Sequence, residues 1–385
     1  VSAGPLDRAA DFEPRWWLPN GHLQTIAGNF LRRNDRDLPP AQPQLIRIPA
    51  AGALPAAAPS AATELSADPG PSAAMRRDAK RQNHTEALGT QVLCHCHWQP
   101  PEVRAYRTTV IILHGLEGSS NSQYVRGNAA RMWRAGLNVV RMNMRNCGGT
   151  ERLTPTLYHS GLSGDVAAVL HAVVAQHGLR RVALVGYSMG GNLVLKLAGE
   201  LGKQAPPELC AVVGVSPAMD LGPSADALHL LSNRIYERKF LRALVKRYRR
   251  KTILFPRAYD PARAEGLKSL RDFDDRVTAL YSGFANADDY YARAAAARVL
   301  DRIAVPTLIL HALDDPFVRI MPETRAKIAA NQHITFTETE HGGHCAFLAV
   351  PDSIDKEDDG YWAEKVLLRF IQKECSAGSE QNDGR

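Results

Sequence analysis

Val182-Ala183-Leu184-Val185-Gly186-Tyr187-Ser188-Met189-Gly190-Gly191-Asn192 is a short apolar run that breaks at glycine and delivers a serine. Its opening residues are of the kind that fill a strand buried on both faces. From Leu193 to Leu201 apolar residues recur at helical spacing, so strand, tight turn and helix follow one another with Ser188 at the apex. A nucleophilic serine needs this arrangement. It must project from a sharp turn, and small residues two before and two after it let strand and helix close in. A glycine-rich turn of a nucleotide-binding fold has the same outline, and the rest of the chain must decide between them.

Upstream, Thr109-Val110-Ile111-Ile112-Leu113 reads as a second buried strand, running into His114-Gly115-Leu116-Glu117-Gly118-Ser119. A strand ending in His-Gly ahead of a serine turn is where acyl-transfer enzymes place an oxyanion donor. The Leu116 N–H is expected to serve, paired with that of Met189. A helix over 123–135, a strand over 138–144 and a helix over 165–176 continue the alternation. It implies a mostly parallel central sheet flanked by helices.

Downstream, Cys210 to Val215 is a further strand. Residues 221–300 then lack strand signals and read as an inserted helical cap over the strand ends, where α/β sheets bind ligands. Strands resume at Thr307 to His311 and Ile334 to Glu338, and Tyr361 to Lys373 is an amphipathic final helix.

Two of these later strands end in the groups a serine requires. Asp314-Asp315-Pro316 follows one and His341-Gly342-Gly343-His344 the other. A hydroxyl is a poor nucleophile until a base takes its proton, and histidine is that base near neutral pH. A carboxylate fixes its tautomer and stabilises the imidazolium. Asp315, just before the proline, is favoured over Asp314 as the acid. His344, freed by two glycines, is favoured over His341 as the base. The chemistry needs no metal and no organic cofactor.

The chain of 385 residues carries a net charge of +7 without a nucleic-acid-binding signature. Much of the charge crowds into 234–251, which reads either as a solvated helix face or as a surface for weak association with anionic membranes. Six scattered cysteines read as free thiols in a reducing compartment. Cys94-His95-Cys96-His97 reads as a strand with alternating faces rather than a metal site. No secretory pattern and no membrane-spanning run is visible, which suggests a cytoplasmic protein. Trp16-Trp17-Leu18-Pro19-Asn20-Gly21-His22-Leu23-Gln24-Thr25 reads as an aromatic anchor, packing an N-terminal arm on the body in preference to forming part of a pocket wall. The expected order is an arm over 1–48, a low-complexity insertion over 49–80, and a core over 81–220. The cap over 221–300, a second core part over 301–375 and a disordered tail over 376–385 follow.

Trp17 to Thr25, His114 to Gly118, Arg145 to Gly149, Tyr158 to Gly161, Gly186 to Asn192, Phe273-Asp274 and His341 to His344 together resemble the YheT-like branch of the α/β-hydrolase fold. That branch includes plant embryogenesis-associated hydrolases, animal abhydrolase-domain proteins acting on lipids and yeast medium-chain ester acyltransferases. The Ala/Pro-rich insertion departs from it. The resemblance implies a carboxylic ester hydrolase acting on small-molecule ester or lipid substrates, with acyl transfer and phospholipid cleavage known among relatives. The expectation is a Ser188–His344–Asp315 hydrolase of short- to medium-chain acyl esters. Its rivals are an acyltransferase and a non-catalytic binding protein on the same fold; oligomeric state stays open.

Overall fold

The computed structural model describes residues 12–31, 33–49, 89–351 and 358–376. The expected insertion over 49–80 lies outside them apart from Pro49, as does the expected tail apart from Ser376.

Among the described residues eight strands form one sheet: β1 (Gln42–Ile48), β2 (Thr90–His97), β3 (Thr109–Leu113), β4 (Asn138–Met142), β5 (Val182–Tyr187), β6 (Leu209–Val215), β7 (Thr307–Ala312) and β8 (Ile334–Thr339). Their spatial order is β1-β2-β4-β3-β5-β6-β7-β8. β2 lies antiparallel to both β1 and β4, and the other neighbours pair in parallel. Every residue of β3, β4 and β5 is buried, as a parallel sheet covered on both faces demands. Ile111, Leu113 and Leu184 point to one apolar core, with the helix Met189–Leu201. Val110, Ile112 and Val185 point to the other, with the helices Gln123–Arg134 and Trp362–Ser376. The apex serine therefore stands on the central part of the sheet.

Between β6 and β7 the chain carries helices and no strand. The cap helix Arg234–Leu254 dominates this stretch. Leu270–Phe273 passes into a π-helical turn, Asp274–Ala279, and Ala287–Ala294 follows.

Three expectations change. β1 falls inside the presumed arm, where Leu45-Ile46-Arg47-Ile48 carries the strand signal and Pro43 sits on a sheet edge that tolerates it. Cys210 and Cys375 form a disulfide, Cα–Cα 5.2 Å, tying β6 to the last helix. Six free thiols is therefore wrong, and the redox argument for a cytoplasmic location goes with it. Residues 165 apart in sequence gave no spacing signal. Finally, Trp16 is 88% and Trp17 41% exposed, so the tryptophan pair is not the anchor; Leu18, Gly21, Gln24 and Thr25 are the buried residues of the stretch 12–31.

Cys94 and Cys96 face the core, while His95 contacts Ser120 Oγ at 2.7 Å and His97 Nε2 accepts from Arg141 Nε at 3.1 Å. The four side chains are thus split between the two faces of β2. Among the described residues no helix is long and apolar enough to cross a membrane.

Candidate active site

Ser188 leaves β5 at φ 54° and ψ −116°, a conformation that costs an ordinary residue about 1–3 kcal/mol. The turn is sharp enough to force its glycines. A Cβ on Gly186 would lie 2.1 Å from the Gly190 carbonyl oxygen, and one on Gly190 would lie 2.5 Å from that of His114. The Ser188 N–H donates to Val215 O at 2.9 Å.

The two expected partners meet at the neighbouring strand ends. His344 Nδ1 lies 2.8 Å from Asp315 Oδ2, and Asp315 is buried. Asp315 Oδ1 accepts the N–H groups of Phe317 and Val318 at 3.0 and 2.9 Å, which fix the carboxylate. Burial works against its charge, but His344 outweighs this and draws the carboxyl below its ordinary value. Burial likewise opposes the imidazolium; the adjacent Cys345 sulfur and Asp315 carry His344 above the ordinary histidine value. Asp314 has another job. Its Oδ1 accepts the Gly343 N–H at 2.8 Å and its Oδ2 lies 3.4 Å from His341 Nδ1, so it shapes the histidine loop. Cys345 Sγ lies 3.5 Å from Val215 O, the carbonyl that also receives the Ser188 N–H. The histidine loop is thereby set against the serine turn.

Gly115 crosses directly against the serine: a Cβ there would lie 3.2 Å from Ser188 Cβ. Its N–H donates to Tyr124 Oη at 2.8 Å. His114 is buried, which lowers it to about 4 and keeps the ring neutral. Nδ1 then donates to Gly115 O at 2.8 Å and Nε2 accepts the Met144 N–H at 3.1 Å. Leu116 follows on this fixed loop. Met189 is the first residue of its helix, so its N–H has no intrahelical acceptor.

Residues 108–349 match the family model described as the alpha/beta hydrolase fold. The chain belongs to that family. It is 32% identical to YheT of Escherichia coli, whose name marks it provisionally as an esterase, over 64% of this chain and 73% of that one. It is 29% identical to the phospholipase ABHD3 of Mus musculus, over 71% and 66% of the two chains. It is 28% identical to the medium-chain fatty acid ethyl ester synthase/esterase 2 of Saccharomyces cerevisiae, over 69% and 62%. The chain thus spans less than two thirds of the latter two relatives.

Two supports of the hydrolase site escaped the sequence reading. One is the arm helix, Gly21–Phe30. Thr25 Oγ1 donates to Gly21 O at 2.6 Å and accepts the His344 N–H at 2.8 Å. Gln24, fully buried, accepts the Leu348 N–H at 2.8 Å and donates to Leu348 O at 3.2 Å. A Cβ on Gly21 would collide with Asp314 O at 1.8 Å. Asn-Gly-His-Leu-Gln-Thr is therefore a bracket for the histidine loop. The signal was present as polar residues on a helix with an apolar entry, but its partner lies more than 300 residues away.

The second is a clamp on the loop that carries Leu116. Glu117, at φ 57°, takes Arg247 Nε at 2.9 Å and Nη2 at 3.1 Å from the cap helix, and the Tyr158 hydroxyl at 2.5 Å. Arg247 also donates to Asn146 O. Cap and loop are thus joined by a nearly buried ion pair. Under the cap lies a cavity of about 110 Å³ that reaches Ser188, Leu116 and Met189, and is walled mainly by apolar side chains such as Leu228, Phe240 and Leu244. Phe317 joins it to the histidine, its ring 4.2 Å from the imidazole.

Proposed function

We propose that this hydrolase cleaves carboxylic esters of short- to medium-chain acyl groups through an acyl-serine. The observation that carries the reading is the His344–Asp315 pair, 2.8 Å apart, on a loop that shares the Val215 carbonyl with the Ser188 turn. Ser188 Oγ attacks the ester carbonyl carbon while its proton passes to His344 Nε2. The N–H groups of Leu116 and Met189 receive the oxyanion. Asp315 holds the imidazole in the tautomer that presents Nε2 and stabilises its charged form. The tetrahedral intermediate collapses, the alcohol departs with the proton from His344, and water repeats the sequence on the acyl-enzyme. The apolar cavity suits an acyl chain.

A second reading gives the acyl group to an alcohol instead of water. The name of the yeast relative and the apolar walls of the cavity favour it. Product ratios with and without added ethanol separate the two.

Lipid substrates add a surface question. Arg238, Lys239, Arg242, Lys246 and Arg249 share the exposed face of the cap helix, whose one acid, Glu237, is buried. We read this face as a weak contact for anionic membranes, worth about 1 kcal/mol per cation at the surface. Co-sedimentation with phosphatidylserine vesicles, lost at high salt and in Arg242→Glu/Lys246→Glu, is the expected result; equal binding of the double variant contradicts it.

The test of the activity is a series of p-nitrophenyl esters of graded chain length given to wild type and Ser188→Ala. A rate maximum at one chain length, absent in the variant, is expected. Equal rates for the two proteins contradict the reading.

A further inference from the structure

Phe273-Asp274 is a sequence motif that the ester-cleaving groups leave unused. Phe273 closes a short helix of the cap and Asp274 opens the π-helical turn. Such turns are rare and concentrate at functional sites. Asp274 is buried, 8% exposed. Thr278 Oγ1 donates to its Oδ1 at 2.8 Å, and the Tyr291 hydroxyl to its Oδ2 at 2.8 Å. Among the described residues no cation bridges to it. Arg271, 5.1 Å from the Tyr291 ring centre, is engaged by Asp226 and Asp288 instead. Burial pushes the Asp274 carboxyl up to about 6, which leaves it largely ionised at neutral pH.

A buried carboxylate met by two neutral donors is costly, and each of its oxygens has accepting capacity left. Asp274, Thr278 and Tyr291 all line the cavity that reaches Ser188. Against otherwise largely apolar walls they form an anionic acceptor within the space where a substrate chain would lie. A donor arriving there completes the carboxylate's hydrogen bonding. A methyl-ended chain removes water from it and returns nothing.

We propose that Asp274 is a specificity determinant: it accepts a hydrogen bond from a hydroxyl group at the end of the substrate remote from the ester, so the cavity takes hydroxyl-ended esters over methyl-ended esters of equal length. This rests on the reading of Ser188 as the nucleophile. It goes beyond that reading by naming a chemical group on the substrate and the residue that selects it. A purely structural Asp274, tying its turn to the following helix, predicts no such selection.

The test uses two series of esters, with the variable chain in the acyl half of one and the alcohol half of the other. Each chain ends in a hydroxyl or a methyl group. The ratio of kcat/KM for hydroxyl-ended over methyl-ended esters is measured for wild type, Asp274→Leu and Asp274→Asn. In one series the wild-type ratio is expected to peak at a single chain length and to fall at least tenfold in Asp274→Leu. If thermal unfolding shows that the leucine variant does not fold, the near-isosteric Asp274→Asn carries the test, with a smaller fall in the same ratio. A ratio unchanged by substitution in both series, or flat with chain length in wild type, overturns the proposal. Fluorophosphonate labelling of wild-type Ser188 is run alongside. Labelling with an unchanged ratio refutes the role of Asp274 alone; absence of labelling removes the nucleophile and the proposal together.

Discussion

The hydroxyl of Thr25 sits 2.8 Å from the backbone N–H of His344, across 319 residues of sequence. The same hydroxyl is spent as a donor on Gly21 O, so its orientation is fixed and its lone pair faces the histidine loop. A neutral hydrogen bond of this kind contributes about 0.5–1.5 kcal/mol. Its larger effect is on where the imidazole stands, since a displacement of about 1 Å can cost a factor of about 100 in rate. Thr25→Val, which keeps the shape and loses the acceptor, is expected to lower kcat about tenfold or more with a small loss of thermal stability. Thr25→Ser is expected to restore most of it. Steady-state kinetics and thermal unfolding on both variants decide this; a valine variant with wild-type kcat contradicts the bracket.

His344 is raised above the ordinary histidine value, with Cys345 and Asp315 overcoming burial. A general base works only when deprotonated, so activity rises with pH through this pKa. The acidic limb of kcat/KM is therefore expected above about pH 6.5, the value for an unperturbed histidine. Cys345→Ala removes one of the causes and moves the limb to lower pH. A limb that stays in place in Cys345→Ala contradicts the assignment of that sulfur.

Replacing Asp315 by asparagine removes the charge that holds the imidazole tautomer. A loss of about 10⁴-fold in kcat is expected at neutral pH. Asp314→Asn perturbs only the support of Gly343 and His341, and a much smaller loss is expected. The same assay on both variants separates the two neighbouring acids; equal losses contradict the division of roles.

Breaking the Arg247–Glu117 pair from one side strands a buried charge, which costs about 3–5 kcal/mol. Arg247→Met alone is expected to lower the unfolding temperature sharply. The double variant Arg247→Met/Glu117→Gln is expected to recover part of the stability, because neither charge is then left alone. Kinetics should not recover in step, since the loop bearing Leu116 has lost its tie to the cap. Additive destabilisation in the double variant contradicts a direct coupling.

The strands near the centre of the sheet were legible because a parallel sheet covered on both faces writes itself as unbroken apolar runs, as in Thr109–Leu113 and Val182–Tyr187. Ser188 and Asp315 stood out because each follows such a run; His344 stood out through the two glycines before it, after the half-buried edge strand Ile334–Thr339. The resemblance to the α/β-hydrolase family agrees with the match over residues 108–349. β1 was hidden by its edge position, where only Ile46 and Ile48 are buried. The disulfide and the Thr25 bracket were hidden for a different reason: both join residues far apart in sequence, and no local pattern reports the partner. Trp16 misled because tryptophan is usually well buried, and here it is exposed. Arg247 lay inside a basic run in which Arg234, Arg238, Lys239, Arg242, Lys246, Arg249 and Arg250 face solvent and Lys251 is also buried, so charge alone could not single out its clamp on Glu117.

The central claim is that Ser188 is an activated nucleophile. Its most direct measurement is reaction of the native protein with a fluorophosphonate, followed by intact mass and peptide mapping. One adduct per chain on Ser188, absent in Ser188→Ala and strongly slowed in His344→Ala, is the result the account predicts. An unlabelled wild-type protein, or an adduct on another residue, would contradict it.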